Sequence, residues 1–227
     1  KKDWIKILGL GLLIVLLNQV LYLWGQAYTS AGHGAMLFAF TPVFIYVFSM
    51  IFRKERLLAK RLIGTLLAVV GALIIVSQRG LDFSSDMLFG DFLIFIAVAV
   101  WGLYTVLGKP LAERYGALRV TAYAISLGSL AYAPYGLYVS SSFDIMSVSL
   151  TAWFSVFYMA AGVSVVVYAL WYWALRHAEA SRIGVFHNIQ PLVAAFAGYF
   201  MLGEVVTSGF IIGGSIVLCG VIVVEWK

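Results

Sequence analysis

The chain alternates long apolar runs with short polar segments. The runs are 17 to 24 residues long and cover residues 4–27, 34–52, 62–78, 90–108, 120–139, 152–175, 183–202 and 208–224. A helix of that length crosses the roughly 30 Å hydrocarbon layer of a bilayer. The runs are continuously apolar and lack the alternation of a membrane barrel. The pattern predicts an all-α polytopic membrane protein with eight transmembrane helices.

Composition supports this prediction. The chain is 63% hydrophobic and only 11% charged, whereas a soluble domain has about 25% charged residues. The polar segments between the runs are too short to form a soluble domain. We therefore expect the lipid bilayer to be the main partner of its surface.

Basic residues lie almost entirely on one side of the predicted topology. Of the 15 Lys and Arg residues, only Arg79 falls on the other side. The remaining ones are Lys1, Lys2, Lys6, Arg53, Lys54, Arg56, Lys60, Arg61, Lys109, Arg114, Arg119, Arg176, Arg182 and Lys227. Cytoplasmic loops carry such an excess of basic residues. The pattern predicts an integral membrane protein with both termini cytoplasmic, and it explains the net charge of +5 without a nucleic-acid partner.

A faint internal repeat has an offset of 149 residues. Residues 21–76 align with 170–225 without a gap and share 8 identical positions. The identical pairs are Leu21 and Leu170, Trp24 and Trp173, Ala31 and Ala180, Pro42 and Pro191, Glu55 and Glu204, Ile63 and Ile212, Gly64 and Gly213, and Gly71 and Gly220. The two copies are five spans apart, an odd number, so we expect them to insert in opposite directions. Such inverted repeats are typical of secondary transporters.

These motifs resemble the EamA-type members of the drug/metabolite transporter superfamily. The resemblance rests on Thr41-Pro42, on residues 53–57 and on residues 188–191, together with the repeated glycines. It implies a 5+5 inverted-repeat fold that exports small metabolites. Residues 1–79 would be the last three spans of a first repeat, and residues 90–227 a complete second repeat. Two further spans are then expected upstream of Lys1.

Polar side chains inside the spans are the first candidates for a solute pathway. Asn18, Gln19 and Tyr22 lie near the middle of the first span, and His187 and Gln190 lie one turn apart in the seventh. Amides that face lipid lose their hydrogen bonds, so these groups must face protein or a polar cavity. Hydrogen bonding between helices is the alternative interpretation of each.

Aromatic residues deep in the second half complete the candidate site. They are Trp101, Tyr104, Tyr123, Tyr168 and Tyr172. Aromatic walls with a few amides and hydroxyls suit an amphipathic organic solute, through apolar contact and cation–π attraction. Ordinary helix packing is the alternative. No motif for a cofactor or metal is found, so neither is expected.

Prolines and glycines mark bends and close contacts. Pro42 and Pro191 lie at matching depths and are predicted to kink their helices beside the pathway. Gly209 and Gly213 have a spacing that allows close helix packing and a homodimer. Glu55 and Glu204 are predicted to be structural, either at a helix N-terminus or, for Glu55, in an ion pair with the basic residues around it.

The function predicted from the sequence is alternating-access transport of small organic solutes, with amino acids and amphipathic drug-like compounds as the expected class. Carboxylates occur only at span ends and in loops, which argues against a carboxylate proton relay within the spans. An intramembrane enzyme acting on a lipid or isoprenoid is one alternative, but no HExxH or GxSxG motif or paired mid-span Asp occurs. A non-transporting membrane subunit is the other.

Overall fold

The computed structural model describes residues 2–29, 31–56, 58–77, 85–141, 144, 147–190, 192–193, 200 and 207–226. Helices make up nearly all of these residues, and no β-strand occurs among them. The α-helices are α1 (Lys2–Gly11), α2 (Val20–Gln26), α3 (Ala31–Phe38), α4 (Thr41–Arg53), α5 (Ala59–Ser77), α6 (Ser85–Tyr115), α7 (Ala117–Ser140), α8 (Leu150–Tyr158), α9 (Tyr168–His177), α10 (Ala180–Gly184) and α11 (Ser208–Glu225). The predicted all-α fold is confirmed.

Among the described residues, five helical stretches are long and apolar enough to cross a membrane. They are Asp3–Gln26, His33–Arg53, Met87–Tyr115, Leu150–His177 and Ser208–Glu225. The predicted spans 62–78 and 120–139 are largely helical as α5 and α7. The predicted span 183–202 is only partly described, and Pro191 and Glu204 lie outside the described residues. The number of eight spans therefore stays a prediction.

Irregular helix segments recur with nearly the same offset as the sequence repeat. A wide π-helical segment, Leu12–Gln19, joins α1 to α2, and a second one, Met159–Val167, joins α8 to α9. The first and last residues of the second segment lie within two positions of those that the 149-residue offset predicts from the first segment. A turn at Ala39 and Phe40 separates α3 from α4, and a 3-10 segment, Val185–Ile189, follows α10 near the corresponding position.

The helices α5 and α11 pack backbone to backbone. A Cβ atom added to Gly64 would lie 2.6 Å from the carbonyl oxygen of Gly220, and one added to Gly71 would lie 2.5 Å from that of Gly213. No side chain fits at such a distance, so all four positions require glycine. Because the lower number in one helix meets the higher number in the other, the two helices run antiparallel.

The long helix α6 lies at the centre of the other contacts, against α2, α3, α4, α7 and α9. A Cβ atom on Gly25 of α2 would lie 2.7 Å from the carbonyl oxygen of Gly90, and one on Gly102 would lie 2.9 Å from the Cβ of Phe44. These close approaches bring α2 and α4 onto α6. Gly116, with φ of 92°, forms the turn from α6 into α7.

Glu55 caps a helix distant in the chain. Its carboxylate oxygens accept hydrogen bonds from the backbone N–H of Ala180 (3.1 Å) and of Ser181 (3.4 Å), and from Ser181 Oγ (2.6 Å). The sequence predicted either a helix N-terminus or an ion pair with the basic residues around Glu55, and it did not identify a helix distant in the chain. The loop after α4 instead lies against α10, where free N–H groups at the first turn attract a carboxylate.

Candidate functional site

The helices α6 and α9 and the 3-10 segment bring six rings together. We call them the aromatic cluster: Trp101, Tyr104, Tyr168, Trp171, Tyr172 and His187. The ring centroids of Trp101 and Tyr168 are 5.1 Å apart, and those of Tyr104 and Tyr172 are 5.2 Å apart. His187 stacks on Trp171 with centroids 4.6 Å apart and an interplanar angle of 22°. Five of the ten residues predicted from the sequence therefore meet in one place.

His187 is fixed by hydrogen bonding as well as by stacking. The indole Nε1–H of Trp101 donates to Nε2 of His187 at 2.6 Å. A ring nitrogen that accepts a hydrogen bond carries no proton, so the imidazole in this arrangement is neutral. The indole of Trp171 donates to Thr105 Oγ1 at 3.2 Å, which holds the other stacking partner in place. The cluster thus presents polar edges and no fixed charge.

The two adjacent amides of the first span have different partners. Gln19 Nε2 donates to the Tyr168 hydroxyl at 2.8 Å, so Gln19 joins the edge of the aromatic cluster. Asn18 is buried, and its Nδ2 donates to the carbonyl oxygen of Ala97 at 2.8 Å. Both follow from the wide turns of Leu12–Gln19, whose last two residues point toward α6 and α9. Asn18 anchors the first span to α6, and Gln19 reaches the aromatic cluster.

One hydroxyl in the aromatic cluster has no partner. Tyr172 donates to the backbone carbonyl of Tyr104 at 2.9 Å, and Gly108 leaves room for the Tyr172 hydroxyl. The hydroxyl of Tyr104 is buried and makes no hydrogen bond. A buried hydroxyl without a partner is unfavourable by about 1 to 3 kcal/mol, so a polar atom that reached this hydroxyl would be stabilising.

Three predicted residues lie apart from the aromatic cluster. Tyr22 packs edge-on against Phe38 at 5.4 Å, and the side chain of Gln190 is exposed. Tyr123 packs on Trp4 at 4.9 Å. Together with Arg119, these two aromatic residues line a cavity of about 300 Å³ between α1 and α7. Pro42 stands in the first turn of α4, directly after the interruption at Ala39 and Phe40.

Two residues were missed from the sequence. Trp171 lies three residues after Tyr168, which is one helical turn, so its spacing could have identified it. Asn188 is 1% exposed, and both polar atoms of its side chain lack a hydrogen-bond partner. Nothing in the spacing distinguishes Asn188 from a packed residue, because its burial depends on where the 3-10 segment meets α4, α5 and α11. Across the described ranges, no three His, Cys, Asp or Glu residues converge to hold a metal ion.

The chain matches the model of the EamA-like transporter family over residues 1–77 and 88–226. It belongs to the EamA-like transporter family. This EamA-like protein is 31% identical to the uncharacterized transporter YetK of Bacillus subtilis, over 100% of this chain and 69% of that protein. It is 28% identical to an uncharacterized transporter of Archaeoglobus fulgidus, over 100% of this chain and 79% of that protein.

Two further similarities concern a named exporter and a solved fold. The EamA-like chain is 27% identical to a probable terminal-alkyne amino-acid exporter of Streptantibioticus cattleyicolor, over 91% of this chain and 68% of that protein. A protein crystal structure shares its fold with a TM-score of 0.82 at 16% identity, covering 99% of this chain and 78% of the other. The EamA-like protein is therefore an integral membrane transporter of small-molecule solutes, not an enzyme.

Proposed function

We propose that this protein exports small organic solutes by alternating access between two inverted halves, residues 1–79 and 90–227. The observation that carries this proposal is the hydrogen bond from Gln19 to Tyr168. The two residues are separated by 149 positions, which is the offset of the sequence repeat. A position that contacts its own counterpart lies on the two-fold axis relating the halves.

The glycine contacts between α5 and α11 support the same axis. The repeat pairs Gly64 with Gly213 and Gly71 with Gly220, whereas the close contacts pair Gly64 with Gly220 and Gly71 with Gly213. This reciprocal exchange is what a two-fold axis between two antiparallel helices produces. The pseudo-axis thus passes between α5 and α11 and through the Gln19–Tyr168 bond at the edge of the aromatic cluster.

The chemistry of the aromatic cluster suits an amphipathic solute. The rings offer apolar contact and cation–π attraction to an amine, and the Tyr104 hydroxyl offers an unpaired polar contact. Amino acids fit this description, and one relative is named a probable amino-acid exporter.

We assign the inner lining to Gln19, Trp101, Tyr104, Tyr168, Tyr172 and His187, with Trp171 added. Asn18, Tyr22, Tyr123 and Gln190 stay proposed for the pathway around it, with Pro42 and Pro191 as its helix bends.

The orientation follows the charge pattern. Both termini are proposed to be cytoplasmic, in the plasma membrane of a bacterium or archaeon. A homodimer is also proposed, but Gly213 is buried against Gly71. A second copy would therefore use the exposed face of α11 that carries Ile211, Leu218 and Ile222.

Proteoliposomes test the transport proposal directly. The purified protein is reconstituted, and the vesicles are loaded with a labelled amino acid or a labelled amphipathic amine. We expect a higher flux than in solute-loaded vesicles that contain no protein. We also expect Trp101→Ala to lose most of this flux. The matched control is Trp173→Ala, which removes a half-exposed indole of α9 outside the aromatic cluster. Flux equal to that of empty vesicles across a broad panel of amines and amino acids would refute the proposal.

A further inference from the structure

An ionisable cluster separate from the aromatic cluster joins α3 to α6. Asp91 of α6 accepts a hydrogen bond from Thr29 Oγ1 at 2.6 Å on Oδ1, and its Oδ2 lies 2.7 Å from Nδ1 of His33. The side chain of His33 is 2% exposed and that of Asp91 is 17% exposed. A carboxylate is an acceptor, so Nδ1 of His33 is the donor. One carboxylate therefore holds both the turn after α2 and the helix α3.

The backbone fixes the position of this carboxylate. Asp91 follows Gly90, and a Cβ atom on Gly90 would lie 2.6 Å from the carbonyl oxygen of Gly25 and 3.0 Å from Thr29. Asp91 thus stands next to the closest approach of α2 and α6. The packed helices hold its two oxygens against Thr29 and His33.

The helix that His33 belongs to is short and separated from the next one. α3 has eight residues and ends at the turn of Ala39 and Phe40, before α4. A change in the His33–Asp91 contact can therefore move α3 without moving α4. Membrane transporters seldom bury ionisable side chains without a functional reason.

We propose that His33 and Asp91 form a proton-binding site that controls transport from the outer side of the membrane. This inference rests on the proposed transport function. The neutral imidazole donates to the carboxylate through Nδ1–H. Adding one proton to the ring converts this contact into an imidazolium–carboxylate pair, which is stronger because both groups are charged. Protonation holds α3 on α6 and slows the exchange of conformations, and release of the proton frees α3.

The described residues of α5 and of the segment from α2 to Thr29 include no His, Asp or Glu. Within the described residues, the charged side chains of α5 are Lys60 and Arg61, at the opposite end of that helix. The segment from α2 to Thr29 offers only the tyrosines Tyr22 and Tyr28 as titratable groups. In α6, the other described charged residues, Lys109, Glu113 and Arg114, lie at the opposite end of the helix. In the sequence, Asp82 and Asp86 precede Asp91.

The test measures flux in proteoliposomes with the internal pH fixed and the external pH varied from about 5 to about 8. Wild type is expected to transport about fivefold more slowly in external acid, because a contact between two charged groups is stronger than one between a neutral donor and a carboxylate. His33→Gln and Asp91→Asn are expected to transport at a rate independent of external pH. His177→Gln is the control, because His177 is exposed on α9 and bonds the carbonyl of Trp173. A wild-type rate that ignores external pH, or a His33→Gln variant that keeps the wild-type profile, would overturn the proposal.

A second measurement does not depend on transport. Hydrogen–deuterium exchange of residues 31–38 is compared between wild type and His33→Gln at each pH. We expect α3 of the wild type to be more protected than α3 of the variant in acid, and the difference to shrink at alkaline pH. Equal protection at every pH would disprove the proton site even if transport is active. If the protein shows the expected difference in hydrogen–deuterium exchange but no solute flux, the proton site is supported and only the transport function is refuted.

Discussion

Gln19 Nε2 donates a hydrogen bond to the hydroxyl of Tyr168 at 2.8 Å, although the two residues are 149 positions apart in the chain. Each occupies the end of a wide π-helical segment or the residue just after one. In an inverted repeat, only a residue on the two-fold axis contacts its own counterpart. The bond therefore couples the two proposed halves where a conformational exchange between them requires the least displacement.

Tyr168→Phe removes the acceptor of this bond and keeps the ring. We expect kcat/KM for solute flux to fall about 2- to 13-fold, since a hydrogen bond of this kind contributes about 0.5 to 1.5 kcal/mol. Gln19→Leu should have a similar effect, and the double variant should be no worse than either single one. Tyr138→Phe, which changes an exposed tyrosine of α7, is the control. Additive losses in the double variant would show that the two side chains act separately.

The sequence allowed Gln19 and Tyr168 to be proposed as lining residues but not as partners. Two adjacent amides mark a face that avoids lipid, and a tyrosine deep in a span suggests a pathway. Which amide reaches the aromatic cluster depends on the wide turns of Leu12–Gln19, which pack against α6 and α7. Asn18 consequently bonds the backbone of Ala97, an acceptor that has no signature in the sequence.

Gly71→Ala tests the backbone contact of α5 and α11. The new Cβ atom would lie 2.5 Å from the carbonyl oxygen of Gly213, so the helices must separate. Overpacking of this kind is unfavourable by about 1 to 3 kcal/mol, and we expect a lower midpoint of thermal unfolding in detergent. Gly9→Ala is the matched control, because no atom lies within 4 Å of its added Cβ. Equal midpoints for the two variants would contradict the close packing.

Glycine positions were easier to predict than charged contacts. Gly64, Gly71, Gly213 and Gly220 stood out because they recur with the repeat, and small residues in membrane helices have few other uses. Glu55 recurs as well, but its partner is a backbone N–H, which every residue type offers. Only the fold shows that the loop after α4 reaches α10.

Glu55→Gln tests this capping contact. The carboxylate accepts two backbone N–H groups and the Ser181 hydroxyl, and loss of a helix cap destabilises by about 0.5 to 2 kcal/mol. We expect a lower unfolding midpoint than for wild type. Glu113→Gln is the control, because Glu113 is 39% exposed in its pairs with Arg53 and Lys109 and exposed pairs contribute about 0 to 1 kcal/mol. A larger effect of Glu113→Gln would argue against the cap.

Cysteine labelling tests the topology. In a background that replaces the single Cys219 by Ser, Arg56→Cys and Ser141→Cys each add one thiol at an exposed position. A membrane-impermeant maleimide applied to intact cells should label only the thiol at position 141, and both thiols should react after the cells are opened. Labelling of both positions from outside would reject the predicted orientation and, with it, the inverted insertion of the two halves.

Trp171 provides the sharpest test of the aromatic cluster, because it stacks on His187 and donates to Thr105 without touching the proposed axis. Trp171→Phe keeps an apolar ring and removes the indole N–H, whereas Trp171→Ala removes the stacking surface. If the ring binds the solute directly, Trp171→Ala should raise KM about 2- to 13-fold, because an aromatic contact contributes about 0.5 to 1.5 kcal/mol. Trp171→Phe should then have a small effect. If Trp171 only positions His187, both variants should lower kcat with little change in KM. Trp173→Ala, two positions along the same helix and half exposed, should match wild type. Wild-type kinetics for all three variants would place the solute elsewhere in the bundle.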